Sequence, residues 1–245
     1  DPADVHSDSR DIEYILQILN VYFPSANVTK ADLVSSYSGV RPLVADSGAT
    51  ESATSREHVI ISDPRNVTFV AGGKYTTYRH MGEQTVDAAL TAFSLEDRVR
   101  FGRNDTKKPL IPEASPSNLQ RARLLAPRWA EQSWFTEAET ATLAERHGME
   151  AERMIHEALR LKIKNVWEVE ARFAIQNTMC IGLDDFFIRR VPLFLVRRDH
   201  GLSEAESISK TFASLLGWNE SERQSGLEAI QKHIRHELSW QTRLA

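Results

Sequence analysis

The stretch from Val67 to Arg79, Val-Thr-Phe-Val-Ala-Gly-Gly-Lys-Tyr-Thr-Thr-Tyr-Arg, constrains the fold more than any other in the chain. Val67, Phe69 and Val70 are β-formers. Gly72 and Gly73 permit positive φ and let the backbone come close to a neighbour. Beyond them Val86, Leu90 and Phe93 recur at helical spacing. A strand, a double-glycine turn and a helix are therefore expected, with Thr76 or Thr77 as the helix cap. Such a junction presents uncommitted N–H groups at the positive end of a helix, which suits an anion or the electron-rich edge of a ring. Lys74 adds a full positive charge there. A bare Gly-Gly-Lys is more often a tight turn with a solvated lysine, so the surrounding sequence has to decide.

With 245 residues the chain can form one large or two small domains. A formal net charge of -4 gives no electrostatic case for a nucleic-acid partner. The one cysteine, Cys180, excludes an internal disulfide and is expected to serve as a small core hydrophobe. The longest apolar run, Val191 to Val196, falls far short of the ~20 residues of a membrane span, and no signal-peptide pattern is visible. A cytoplasmic location is expected, with peripheral contact at the inner face of the cytoplasmic membrane left open. No His, Cys and carboxylate group has metal-site spacing, so no metal is expected.

Taken in order, Ile12, Leu16, Leu19 and Phe23 predict a helix over 10–23 that ends at Pro24. Thr29 to Asp32 resembles a capping box, and Leu33 to Tyr37 reads as a strand. Residues 45–56 form a polar loop; His58 to Ser62 is a strand that turns at Asp63 to Asn66 into the opening stretch, giving a hairpin. Residues 101–134 are punctuated by Pro, Ser and Asn and are expected to be a linker with local helix near 117–125. From 135 to 245 the pattern is helical, with starts at Thr136-x-x-Glu139, Ser203-x-x-Glu206 and Asn219-x-x-Glu222 and stops at Gly148, Gly201 and Gly217. Phe186, Phe187, Val191 and Phe194 give one helix an apolar side, with a kink at Pro192. The fold class is an α/β segment over 1–100 followed by an all-α C-terminal domain over 135–245.

Ile12 to Pro24, Gly39-Val40-Arg41-Pro42-Leu43, Ser55-Arg56-Glu57-His58 and Gly72 to Met81 occur here in the order and spacing found in FAD-dependent glycerol-3-phosphate dehydrogenases, which the chain resembles. Leu183-Asp184-Asp185-Phe186-Phe187-Ile188-Arg189-Arg190 resembles that family's helical C-terminal run, and Leu215-Leu216-Gly217-Trp218 the end of it. Gln176-Asn177 stands where the family usually has acidic residues, and Glu57 where it often has Asp. The family's strand–GxGxxG–helix, which holds the FAD pyrophosphate, has no counterpart here. The resemblance therefore implies the C-terminal portion of such an enzyme, the end of its FAD- and substrate-binding fold plus a helical domain, inactive as an isolated chain.

The resemblance implies removal of a hydride from sn-glycerol 3-phosphate to FAD, giving dihydroxyacetone phosphate, with the electrons passed to a quinone. Arg56 is expected on the phosphate, since a guanidinium fork matches paired phosphate oxygens. Arg41, held extended by Pro42, is expected near the reacting carbon. Lys74 is expected at the flavin edge and the substrate, stabilising negative charge or serving as a base. Gly72, Gly73, Thr76 and Thr77 are expected to offer backbone N–H groups and hydroxyls to the flavin ring. Tyr75, Tyr78, Arg79, His58 and His80 are expected to pack or support; Arg189-Arg190 and Arg197-Arg198 are expected on a solvated face, with lipid headgroups or a second subunit as other partners. Residues 1–100 without their partners would leave sheet edges open, which rearrangement or homodimer formation would cover. Two other readings stand beside this one: a related flavin oxidoreductase acting on another hydroxy or amino acid, and a non-catalytic helical interaction module.

Overall fold

A computed structural model describes residues 4–40, 43–44, 57–102, 104–108 and 115–244. The chain divides into two compact units, one made of Asp1–Gly39 and Glu113–Ala245, the other of Val40–Pro112.

The first unit is helical. Helix α1 (Ser9–Tyr22) starts on a capping box in which Asp8 and Asp11 satisfy each other's backbone, and it buries Ile12 and Leu16. After it, α4 (Pro116–Glu131), α5 (Glu137–His147), α6 (Glu150–Leu161), α7 (Val166–Asn177), α8 (Leu193–Val196), α9 (Leu202–Leu216) and α10 (Glu220–Glu237) complete the unit, with α2 (Tyr78–Leu90) and α3 (Leu95–Arg100) lying in the other one. Two apolar cores result. Ala122, Ala126 and Trp129 of α4 pack with Phe135, Leu143, Ala144, Met154 and Val169 in one. Ile12 and Leu16 pack with Ala171, Ala174, Phe186, Phe187, Phe194, Phe212, Ile230 and Trp240 in the other. α7 serves both, since Val166 and Val169 face the first core and Ala171 and Ala174 the second, while Trp167 packs against each.

Several local expectations hold. Thr136 with Glu139 and Asn219 with Glu222 form capping boxes at the starts of α5 and α10, and Gly148 and Gly217 cap the ends of α5 and α9. Phe186, Phe187, Val191 and Phe194 are all buried. The chain between α7 and α9 is not one kinked helix: a π-helical turn over Asp185–Arg190 is followed by a single turn, α8, with Pro192 at its N-cap.

Other expectations are corrected. Leu33 to Tyr37 forms no strand. That run has no partner strand among the described residues and is stitched to the helices instead, the Ser35 hydroxyl donating to the Leu195 carbonyl (2.9 Å) and the Ser36 hydroxyl to the Glu237 carbonyl (2.8 Å). Residues 117–125 belong to a full helix, because Ser115-Pro116 is an N-cap followed by an N1 proline rather than linker punctuation. Gly201 starts α9, in the left-handed region at φ 80°, so Ser203 lies inside the helix and does not cap it.

The second unit contains a hairpin and two helices. Strands β1 (His58–Ser62) and β2 (Thr68–Gly72) pair antiparallel, with His58 opposite Gly72 at the open end and Ser62 opposite Thr68 at the turn. The turn closes as Asp63 N–H donates to the Val67 carbonyl (2.8 Å). A 3-10 turn (Tyr75–Thr77) leads into α2 (Tyr78–Leu90), and α3 (Leu95–Arg100) follows. None of the described residues of this unit is buried, and Ile61, Phe69, Val70 and Val86 are exposed apolar side chains. A two-stranded hairpin with one packed helix is too small to close a core of its own.

Candidate functional site

The Gly72-Gly73-Lys74 junction lies at the open end of the hairpin. β2 runs out at Gly72, and both glycines adopt positive φ, 74° at Gly72 and 93° at Gly73. At Gly73 a Cβ would come within 2.6 Å of Met81 Sδ and 3.2 Å of His58 Cβ, so a side chain here would have to displace the Met81 thioether and adopt a strained dihedral. The reversal delivers Lys74 in extended conformation (φ −127°, ψ 144°) as the residue preceding the 3-10 turn.

The Lys74 carbonyl accepts two hydrogen bonds, from the N–H and the hydroxyl of Thr77, both 3.0 Å. This corrects the expected cap. Thr77 occupies the N-cap position of α2, but its hydroxyl turns back to Lys74 and gives α2 no side-chain cap. The intervening 3-10 turn is the reason, since it places the Lys74 carbonyl three residues back within reach of the hydroxyl. Lys74, Tyr75, Thr76, Thr77 and Tyr78 are exposed. Among the described residues no hydrogen bond takes up the backbone N–H of Lys74, Tyr75 or Thr76, and no carboxylate pairs with the Lys74 ammonium. The junction is thus a cationic rim with free donors, able to receive negative charge.

The structure brings Gly72, Gly73, Lys74, Thr76 and Thr77 together at one end of the hairpin. Arg41 and Arg56 lie outside the described residues. His58 Nε2 lies 2.8 Å from Gln84 Oε1, and its ring meets that of His80 edge-on at 6.5 Å. Tyr75, 92% exposed, lies with its ring 6.1 Å from that of Tyr78. Arg79 is committed to Glu83 (2.8 Å) and to the Thr106 hydroxyl (2.8 Å), and the first of these bonds is the main cause of a lowered Glu83 pKa. An apolar groove lined by Thr68, Val86, Ala89 and Phe93 opens at the turn end of the hairpin, away from Lys74.

In the helical unit the arginine pairs have intramolecular partners. Arg189 binds Asp184 and Asp185 (2.8 and 2.7 Å), Arg190 donates to the Thr178 carbonyl (2.6 Å), Arg197 binds Asp199 (3.1 Å), and Arg198 reaches the Ala31 carbonyl (3.4 Å). Cys180 is fully buried, and burial pushes its thiol up to about 11, as expected of an inert core residue. No helix among the described residues is long and apolar enough to cross a membrane.

Residues 118–223 match the C-terminal domain of alpha-glycerophosphate oxidase. Aerobic glycerol-3-phosphate dehydrogenase of Staphylococcus saprophyticus is 27% identical over 233 residues, 92% of this chain and 42% of the relative. The enzyme of the same name from Bacillus subtilis is 26% identical over 91% of this chain and 42% of its own length. The chain resembles the C-terminal portion of this dehydrogenase family. It spans less than half the length of these dehydrogenases. A glycerol-3-phosphate dehydrogenase from Bacillus halodurans, solved by X-ray crystallography in complex with FAD, has the same fold. Its TM-score is 0.68 at 21% identity, over 96% of this chain and 46% of that one. The hairpin segment followed by a helical domain thus has the fold of part of that FAD-bound structure.

Proposed function

We propose that this chain is the C-terminal portion of an FAD-dependent glycerol-3-phosphate dehydrogenase and supplies one wall of its active site. The observation that carries the reading is the Gly72-Gly73-Lys74 junction, where among the described residues the N–H groups and the Lys74 ammonium have no partner and no residue of the unit is buried. The names of the relatives support glycerol 3-phosphate as the substrate, and on this reading its sn form is oxidised to dihydroxyacetone phosphate.

Arg56 binds the phosphate dianion through paired N–H bonds, and Arg41 orients the substrate hydroxyl. Lys74 holds its charge against the substrate oxygen as that oxygen releases its proton to solvent and becomes negative. The N–H groups at Lys74 to Thr76 and the hydroxyl of Thr76 fit the electron-rich edge of a flavin ring. Gly72 and Gly73 allow that edge to approach the backbone, and Thr77 braces the turn. FAD, when bound, accepts the hydride and passes its electrons to a quinone. The isolated chain does not turn over, because the pyrophosphate-binding half of the site lies beyond it. The reading places the protein in the cytoplasm, against the inner face of the membrane where the quinone is reached. The exposed apolar face of the hairpin is covered by the rest of the parent protein or, in the isolated chain, by a second copy.

The test has two parts. The purified chain, titrated with FAD, should show no bound-flavin absorption bands and no turnover of glycerol 3-phosphate. In a full-length protein carrying these residues, Lys74→Met should lower kcat by about 10²-fold or more. Arg56→Ala should lower kcat/KM by roughly 10–100-fold. Full activity in both variants would defeat the site assignment. Turnover of a non-phosphorylated hydroxy acid or an amino acid in preference to glycerol 3-phosphate would favour a related flavin oxidoreductase, and a full-length protein with no oxidoreductase activity would favour an interaction module.

A further inference from the structure

We propose that Asp4, His6 and His236 form a site for a divalent cation of the zinc class, clamping the segment before α1 to the last turn of α10. One ligand atom from each of these three residues lies within 4.8 Å of the others. Asp4 Oδ1 is 3.6 Å from His236 Nε2, too far for a hydrogen bond and close to the edge of a ligand tetrahedron. Zinc bonds of about 2.0–2.2 Å separate neighbouring ligand atoms by roughly 3.3–3.6 Å. The two imidazole rings meet edge-on at 67° with centroids 4.8 Å apart, so they do not stack.

Independent support comes from His6. Its Nδ1 is sealed from water and has no hydrogen-bond partner among the described residues. A buried polar atom in that state is costly and rare, and a metal ion is a partner that an unprotonated imidazole nitrogen can take. The backbone also favours a cation here. His236 lies in the last turn of α10, where carbonyls collect partial negative charge. Two imidazoles and one carboxylate form a borderline nitrogen–oxygen set that suits zinc and its neighbours and not calcium or magnesium, which take oxygen shells. Asp4 is exposed, so it can close the remaining distance, and solvent supplies the fourth position.

A clamp here fits hydrogen bonds that already join the same two regions. The Ser9 hydroxyl donates to the Trp240 carbonyl (3.2 Å), and the Trp240 indole donates to Ser36 (2.8 Å). Tying Asp4 and His6 to His236 closes a loop of more than two hundred residues, where a cross-link restricts the unfolded chain most.

The test is a zinc titration of the full 245-residue chain, stripped with chelator, by calorimetry and by thermal melting. Cobalt(II) is used as a visible-absorption probe. The expected result is one equivalent of zinc and a rise in Tm of several degrees. Binding should weaken at least tenfold in Asp4→Asn and in His236→Gln. Asp4→Asn lies at an exposed position and should keep the metal-free melting curve, which separates lost binding from lost folding. Zinc binding that is unchanged in both variants, or a wild-type chain that binds no more zinc than the double variant, overturns the site and leaves a plain Asp4–His236 ion pair.

Discussion

Glu170 is a buried carboxylate of the helical unit held by two basic neighbours. Its carboxylate is 1% exposed and accepts from Arg146 (2.7 Å) while lying 2.9 Å from His147 Nε2; the Arg146 guanidinium also sits over the Trp167 ring at 5.3 Å. Removing one member of a buried pair leaves the other uncompensated, so Glu170→Ala should cost about 3 kcal/mol, and Glu170→Gln clearly less. Urea unfolding of the three proteins checks this; equal midpoints would mean that the pair is solvated. Cys180 gives a second expectation. With its thiol pushed up to about 11, only about a thousandth is thiolate at pH 8, so reaction with a disulfide reagent should be slow until the protein is denatured. The inertness of Cys180 was legible, because a lone cysteine in an apolar helical stretch has few other uses. Glu170 was not: a glutamate in a helix looks solvated until another helix delivers Arg146 and His147 to it. The Asp4, His6 and His236 group was equally invisible, since no local spacing links residues at the two ends of the unit.

At the scale of elements, the capping boxes of α5 and α10 and the hairpin of β1 and β2 were readable because each is encoded within a few consecutive residues. The run 33–37 departs from the expected strand because a β-like composition forms one only where a partner edge is present. The Gly72-Gly73 turn was legible as a turn. Its tightness against Met81 was not, since that contact depends on how α2 packs back on the hairpin. Gly73→Ala should therefore push Met81 aside and cost more than about 1 kcal/mol locally. Hydrogen exchange at residues 72–81 should accelerate while α5 to α10 stay protected; unchanged exchange in the hairpin would contradict the strain. Arg41 and Arg56, proposed to meet the substrate, were legible only through the family resemblance and lie outside the described residues.

For the molecule as a whole, the helical unit draws on both sides of the inserted Val40–Pro112 segment. A fragment of residues 135–245 alone would lack Ala122, Ala126 and Trp129 in one core and Ile12 and Leu16 in the other. We expect that fragment to bind a hydrophobic dye and to melt broadly, and residues 113–245 to melt more sharply; a cooperative melt from 135–245 with no dye binding would show that α4 and α1 are accessory. The sequence displayed the helical character of this region through its periodicity, yet nothing in one apolar helix face states which distant face will cover it. The discontinuity also sets a schedule for synthesis. Ser9 and Trp240, which bond across 231 residues, cannot meet until both have left the ribosome. At about 5–20 residues per second, α1 waits roughly 10–50 s with Ile12 and Leu16 uncovered, a window in which a nascent-chain chaperone has time to bind.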